Sequence, residues 1–227
     1  MLTILALALA ANALPPVPDG TRLRPTTQCF AMVGGGKMIG ATFQRIRAVR
    51  VAGRAAWDIV IYQRLSDGRF DMRDHFVLAR RDLRPIAFDS SRFGKQHIAL
   101  TYGATRITGT RVEKDGSTKT VDVPLTSPVW EGNLWGVTFG AMPLGAGATL
   151  ELPFYQYDKG FDRFHLAVTG SEIVDTPSGK VAAWTVDVGT DPKRIVTYLI
   201  DKKSGAELGT RAGGFETRLG GDCRGMN

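Results

Sequence analysis

Three histidines, His75, His97 and His165, are the chain's readiest general bases, yet each lies inside a stretch that reads as a strand. None stands at metal-ligand spacing from another histidine or a cysteine. The expectation for all three is a sheet-face imidazole with an ordinary polar partner. The glycine-rich run Val33 to Gly40 lacks the third glycine of G-x-G-x-x-G and has no serine or threonine after Lys37. It therefore meets neither nucleotide fingerprint and reads as a hairpin turn. Gly170-Ser171-Glu172 is the nearest approach to a G-x-S-x-G elbow and fails at the last position. Carboxylates are plentiful, but nothing in the sequence singles out a glycosidase-type pair. No catalytic residue, metal ligand or cofactor is expected from these patterns, and an envelope hydrolase is the least favoured reading.

Binding chemistry is better represented. Arg45 and Arg47 share a strand face with Phe43 and Val49, while Arg80, Arg81 and Arg84 crowd a turn. Guanidinium forks hold phosphate or carboxylate, so a basic rim beside an apolar cavity would suit an anionic lipid. A solvated outer face is the alternative for the same residues. The formal net charge is +7 at pH 7. For an exported protein such an excess points to anionic surfaces, lipid head groups or acidic glycans, rather than to nucleic acid.

The elements that would position these groups are mostly strands. Lys37 to Val51, Arg54 to Leu65 and a segment centred on Phe70 to Arg80 alternate in polarity and are joined by Ala52-Gly53 and Ser66-Asp67-Gly68, turn-forming pairs and triplets. In all, ten or more such segments run in sequence with short connections. One face of each is apolar, as in Trp57, Ile59 and Ile61, or in Phe70, Met72, Phe76 and Leu78. The pattern predicts a mainly β fold, a long antiparallel meander curled into a half-barrel or barrel. The exception is "TSPVWEGNLWGVTFGAMPLG", Thr126 to Gly145, where apolar residues recur at helical spacing. Ser127 suits an N-cap, Pro128 a first turn, and Gly140 and Pro143 a stop, which predicts one inserted helix over about 128–142. Gly132, Gly136 and Gly140 lower its propensity, so it should be stable only when packed against the concave face. Trp130, Leu134, Trp135 and Phe139, with Trp57 and Phe76 from the strands and Arg45 and Arg47 at the rim, are the expected ligand-binding residues.

The N-terminus carries an apolar run from Leu2 to Ala10, then Ala11-Asn12-Ala13, a small-x-small pattern. This reads as a signal peptide over residues 1–13 cleaved after Ala13, though no positive charge precedes Thr21; a hydrophobic N-terminal strand is the alternative. An exported segment 14–27 and a single domain 28–227 would follow. Two cysteines, Cys29 and Cys223, fit a disulfide in an oxidising compartment, the alternative being two separate buried thiols. Localisation to the periplasm is expected.

The order of the meander, the Pro-initiated helix and several turn motifs resembles an exported bacterial family known as a domain of unknown function. The motifs are Pro143-Leu144-Gly145, then Val168, Gly170, Glu172, Thr176-Pro177 and Gly179, and the run Tyr198 to Asp201, across roughly residues 35 to 210. Such proteins in turn resemble the periplasmic lipoprotein-carrier half-barrels. The resemblance implies an open curved sheet closed by helical cover around a cavity for acyl chains, and it implies no catalytic residues. The reading that follows is a non-enzymatic periplasmic protein binding a lipid-like amphiphile, in peripheral contact with a membrane. The alternative is an envelope structural or protein-interaction module with a closed core.

Overall fold

The computed structural model describes residues 16–226, so the expected signal peptide and its cleavage after Ala13 lie outside the described residues. The strands are β1 (Thr26–Gly34), β2 (Lys37–Val51), β3 (Arg54–Leu65), β4 (Asp71–Ala79), β5 (Pro85–Arg92), β6 (Lys95–Tyr102), β7 (Arg106–Val112) and β8 (Thr118–Pro124). After them come β9 (Trp130–Glu131), β10 (Thr149–Gln156), β11 (Gly160–Thr176), β12 (Gly179–Gly189), β13 (Val196–Asp201), β14 (Glu207–Ala212) and β15 (Phe215–Leu219). The only α-helix among the described residues, α1 (Gly136–Gly140), lies between β9 and β10.

All fifteen strands form one sheet in the order β8-β7-β6-β5-β4-β3-β2-β1-β15-β14-β13-β12-β11-β10-β9. Every neighbouring pair is antiparallel except β9 and β10. The chain thus starts in the middle of the sheet, runs out to the β8 edge, and must cross to the β9 edge through residues 125–129 alone. That link spans at most about 20 Å when fully extended. A sheet whose two edges are tethered so closely has to curl into a barrel-like shell. Side chains bridge the seam where strand hydrogen bonds do not: Arg111 donates to the Tyr157 carbonyl (3.2 Å), Arg92 donates to the Tyr157 hydroxyl (3.1 Å), His97 Nε2 lies 3.0 Å from the same oxygen, and Tyr102 donates to Glu131.

One buried apolar cluster runs around the inside of the shell, from Ile46, Trp57 and Phe76 through Trp130, Leu134 and Phe139 to Phe164 and Ile200. The 128–142 stretch does cover the concave face, but mostly not as a helix. Trp130 and Glu131 extend the sheet, and only Gly136–Gly140 is helical. The expected helix over 128–142 is therefore shortened, and Ser127 and Pro128 cap nothing. The physical reason lies in the register: Trp130 and Glu131 gain strand pairing with Phe154 and Tyr155, and Gly132 donates to the Tyr155 carbonyl, which takes the first expected turn out of the helix.

Cys29 and Cys223 form a disulfide that joins β1 to the C-terminal segment over 194 residues of sequence. It lies on the convex side, where it packs with Met226 over Ala41, Phe43 and Val60. That cover explains an apparent conflict in β2. Phe43 is apolar because the C-terminal tail buries it from outside, and the concave side of β2 is Thr42, Gln44 and Ile46.

Candidate functional site

Two glycines position the covering segment. A β-carbon at Gly140 would overlap the carbonyl of Gly205 in the β13–β14 turn, and one at Gly136 would overlap the Glu207 carboxylate. The residues that cost α1 its helix propensity are the ones that let its backbone touch the sheet wall. Phe139, fully buried, then inserts between Phe164 and Tyr198, 5.2 Å from each ring.

Around this contact lie two cavities. One, of about 250 Å³, lies between the covering segment and the β1–β2 and β13–β15 wall, and takes Phe30, Gln44, Leu134, Trp135, Tyr198 and Glu207 into its lining. The other, of about 270 Å³, opens beside Arg22, Leu23 and Arg24. Gln44, Val137 and Glu207 border both, so these three side chains form the partition between them.

Glu207 is the chemically distinctive member. It reaches the concave side because β14 is irregular: Leu199 pairs with Gly209 but Ile200 pairs with Glu207. The extra residue sends Leu208 into an outer apolar cluster and leaves Glu207 and Thr210 both facing inward. No described side chain donates a hydrogen bond to its carboxylate, and burial alone raises its pKa to about 7. Two nearby amides are otherwise engaged, with Gln44 donating to Gln28 (3.0 Å) and Gln28 to the Glu207 carbonyl (3.3 Å). A carboxylate held in an aromatic-walled cavity without a donor is an acceptor site for a ligand's amine or hydroxyl.

Two carboxylates, Glu131 and Asp74, are more deeply buried than Glu207. Glu131 accepts from Tyr102 and from the Asn133 side chain (2.7 Å), and its burial raises its pKa to about 7. Asp74, likewise buried, is pushed up to about 6 by that burial. On the convex face His75 is clamped between Asp89 and Asp58, each 2.8 Å away, and its pKa is raised, chiefly by Asp89. No group of three or more His, Cys, Asp or Glu among the described residues is arranged to hold a metal ion.

Of the residues expected from sequence, Leu134 and Trp135 line the first cavity. Trp130, Phe139, Trp57 and Phe76 are buried in the packed core instead. Trp130 donates to the Asp82 carbonyl (2.8 Å) under the Arg84 guanidinium, and Trp57 donates to the Gly20 carbonyl (3.0 Å) under Arg80. Arg45 and Arg47 do not rim the cavity. Strand alternation places them on the convex side, where Arg45 lies 4.0 Å from Asp58. Sequence reasoning missed Glu207, Gln44 and Tyr198, because a run such as Glu207-Leu208-Gly209-Thr210 gives no sign of its bulge beyond the glycine.

The fold and site define a β-barrel-like, single-sheet protein with an internal cover and small polar-apolar cavities. Residues 29–220 match the family described as "Protein of unknown function (DUF3108)", and the chain belongs to that family. Among solved structures it is similar to the β-barrel-like protein of the domain of unknown function DUF1849 from Brucella abortus. That similarity has 9% identity and a TM-score of 0.51, and covers 91% of this chain and 96% of the other. At that identity the likeness is one of fold. No curated protein matches the chain. The disulfide is compatible with an exported protein, and no described helix is long and apolar enough to cross a membrane.

Proposed function

We propose that this is a non-enzymatic periplasmic protein that binds a small amphipathic molecule between α1 and the β1–β2 and β13–β15 wall, the polar end of the ligand donating to Glu207. The observation that supports the reading most is the Glu207 carboxylate itself, without a donor and bordering two cavities, the first of them walled by Phe30, Trp135 and Tyr198. The size of the space limits the ligand. Each cavity is smaller than the roughly 300–1,000 Å³ usual for small-molecule sites. A single short chain fits one cavity, and a longer one requires the Gln44–Val137–Glu207 partition to part. The residues once expected to line the site act as its frame: Trp57, Phe76, Trp130 and Phe139 hold the shell and cover in place.

A fluorescent long-chain amine tests this directly. Binding to the full mature chain should weaken roughly 10- to 100-fold in Glu207→Gln, the scale of a lost charge-assisted hydrogen bond. Equal binding by both proteins would refute the role of Glu207. The closely packed core also favours a second reading, an envelope protein-interaction module, because the buried cluster runs continuously around the shell. Failure of every amphiphile to bind would favour that module.

A further inference from the structure

The two ends of the shell differ in charge. At one end five segments meet. Asp19 donates its amide to Ala141, Gly20 to Arg81, and Arg80 to Ala55 of the β2–β3 hairpin. Arg22 donates to the Met142 carbonyl (3.1 Å), and a β-carbon built at Gly205 in the β13–β14 turn would come within 3.6 Å of the Arg22 guanidinium. These contacts gather Arg22, Arg24, Arg50, Arg54, Arg80, Arg81, Arg84, Lys202 and Lys203 with Asp19, Asp82 and Asp201, and Glu207 borders the cavity beside Arg22. Cations therefore outnumber acids nine to four among these segments. The turns of the opposite end interleave their lysines and arginines with acids, as in Asp67-Gly68-Arg69, Glu113-Lys114-Asp115 and Asp158-Lys159.

None of the nine cations is in an ion pair among the described residues, whereas cations elsewhere, such as Arg106, Arg111 and Arg211, are neutralised by Asp122, Glu113 and Glu172. Several are instead held in place by neutral groups. Arg80 and Arg84 stack over Trp57 and Trp130, Lys202 over Trp184, and Arg50 donates to the Gly53 carbonyl (2.7 Å). Holding cations without neutralising them preserves their charge for an external partner.

We infer that this basic end docks on an anionic phospholipid surface. Three features favour a bilayer over another polyanion. The disulfide points to an oxidising compartment, where membranes rather than nucleic acids are the extended anionic surfaces. The cavity beside Arg22, Leu23 and Arg24 opens at this end, flanked by apolar Leu23 and Pro25 as well as by charge. Exposed apolar Val17, beside Asp19, adds an uncovered hydrophobic side chain to this same end. Docking does not require the cavity to be filled, so it stands apart from the ligand proposed above.

Co-sedimentation of the mature full chain with vesicles tests the inference at physiological salt. We expect binding to phosphatidylcholine vesicles containing phosphatidylglycerol and none to phosphatidylcholine alone. Arg24→Gln/Arg54→Gln/Arg81→Gln/Lys203→Gln, all exposed, should weaken it at least a hundredfold, taking roughly fivefold per charge. Lys37→Gln/Lys95→Gln/Lys114→Gln/Lys159→Gln, the same change of charge at the opposite end, should retain binding within a few-fold. A common melting temperature for the three proteins would exclude misfolding as the cause. Equal losses in both variants would overturn the inference in favour of non-specific attraction, and an absence of wild-type binding to the anionic vesicles would overturn it outright.

Discussion

Gly136 and Glu207 are mutually exclusive with any larger pair: the α1 backbone passes so close to the β14 carboxylate that a β-carbon at 136 would overlap Glu207 Oε2. Gly136→Ala gains up to about 1 kcal/mol of helix propensity but forces the flexible Glu207 carboxylate aside, which offsets that gain and leaves a net change within about 1 kcal/mol. In a Glu207→Ala background the same substitution should be neutral or stabilising. Urea denaturation of the four proteins in the cycle measures the coupling, and additive effects would contradict this contact.

Stability should fall as the pH rises through the neutral range. Glu207 has an ordinary pKa of 4.5 and a folded value of about 7. Between those values the native state keeps a proton that the unfolded chain has released. Unfolding is therefore favoured progressively from about pH 4.5 to 7, by on the order of 2–3 kcal/mol from this one group. His75 acts in the same direction. Its pKa is raised above 6.5 by Asp89 and Asp58, so its contribution is complete below 6.5 and is lost as the pH climbs through the folded value. Melting temperatures across pH 5 to 8 should decline. Glu207→Gln should make the lower part of that decline shallower, with Glu131 and Asp74 supplying the rest, and His75→Gln should flatten the upper part.

The Cys29–Cys223 bridge closes a loop of 194 residues, for which chain entropy gives about 5 kcal/mol at most. It also covers Phe43 and Val60 together with Met226. Cys29→Ser/Cys223→Ser should lower the melting temperature sharply and expose the β2–β3 outer face to hydrogen exchange ahead of the β11–β12 pair. Uniform exchange across the sheet would argue against a local cover.

Trp57 ties the N-terminal segment to the sheet through a buried hydrogen bond to the Gly20 carbonyl. Trp57→Phe keeps the apolar bulk and leaves that carbonyl without its donor, a loss of about 1–3 kcal/mol. Limited proteolysis should then cut near Gly20 before any other site. An unchanged cleavage order would mean that the segment is held by other contacts, such as Gly20 to Arg81.

Much of the shell is legible in the sequence because alternation and turn residues carry it. The strands Lys37–Val51 and Arg54–Leu65 end where Ala52-Gly53 and Ser66-Asp67-Gly68 demand a turn, and the two cysteines announce their bridge. The covering stretch is legible as apolar cover but not as conformation: helical spacing of Trp130, Leu134 and Phe139 also suits a two-residue strand followed by one helical turn, and pairing with β10 decides between them. Arg45 and Arg47 mislead because Phe43, an apolar neighbour on their face, is buried by the tail from outside. Glu207 is hidden by the bulge that reverses its face, a tertiary effect with no local signature.

The central claim is that the space beside Glu207 holds an amphiphile. Native mass spectrometry of the mature protein purified from its own envelope, followed by organic extraction, tests it most directly. The account predicts a co-purifying amphiphile with an amine or hydroxyl head, present on the wild type and depleted on Glu207→Gln. A clean unliganded mass that stays unchanged when envelope lipids are added would contradict it.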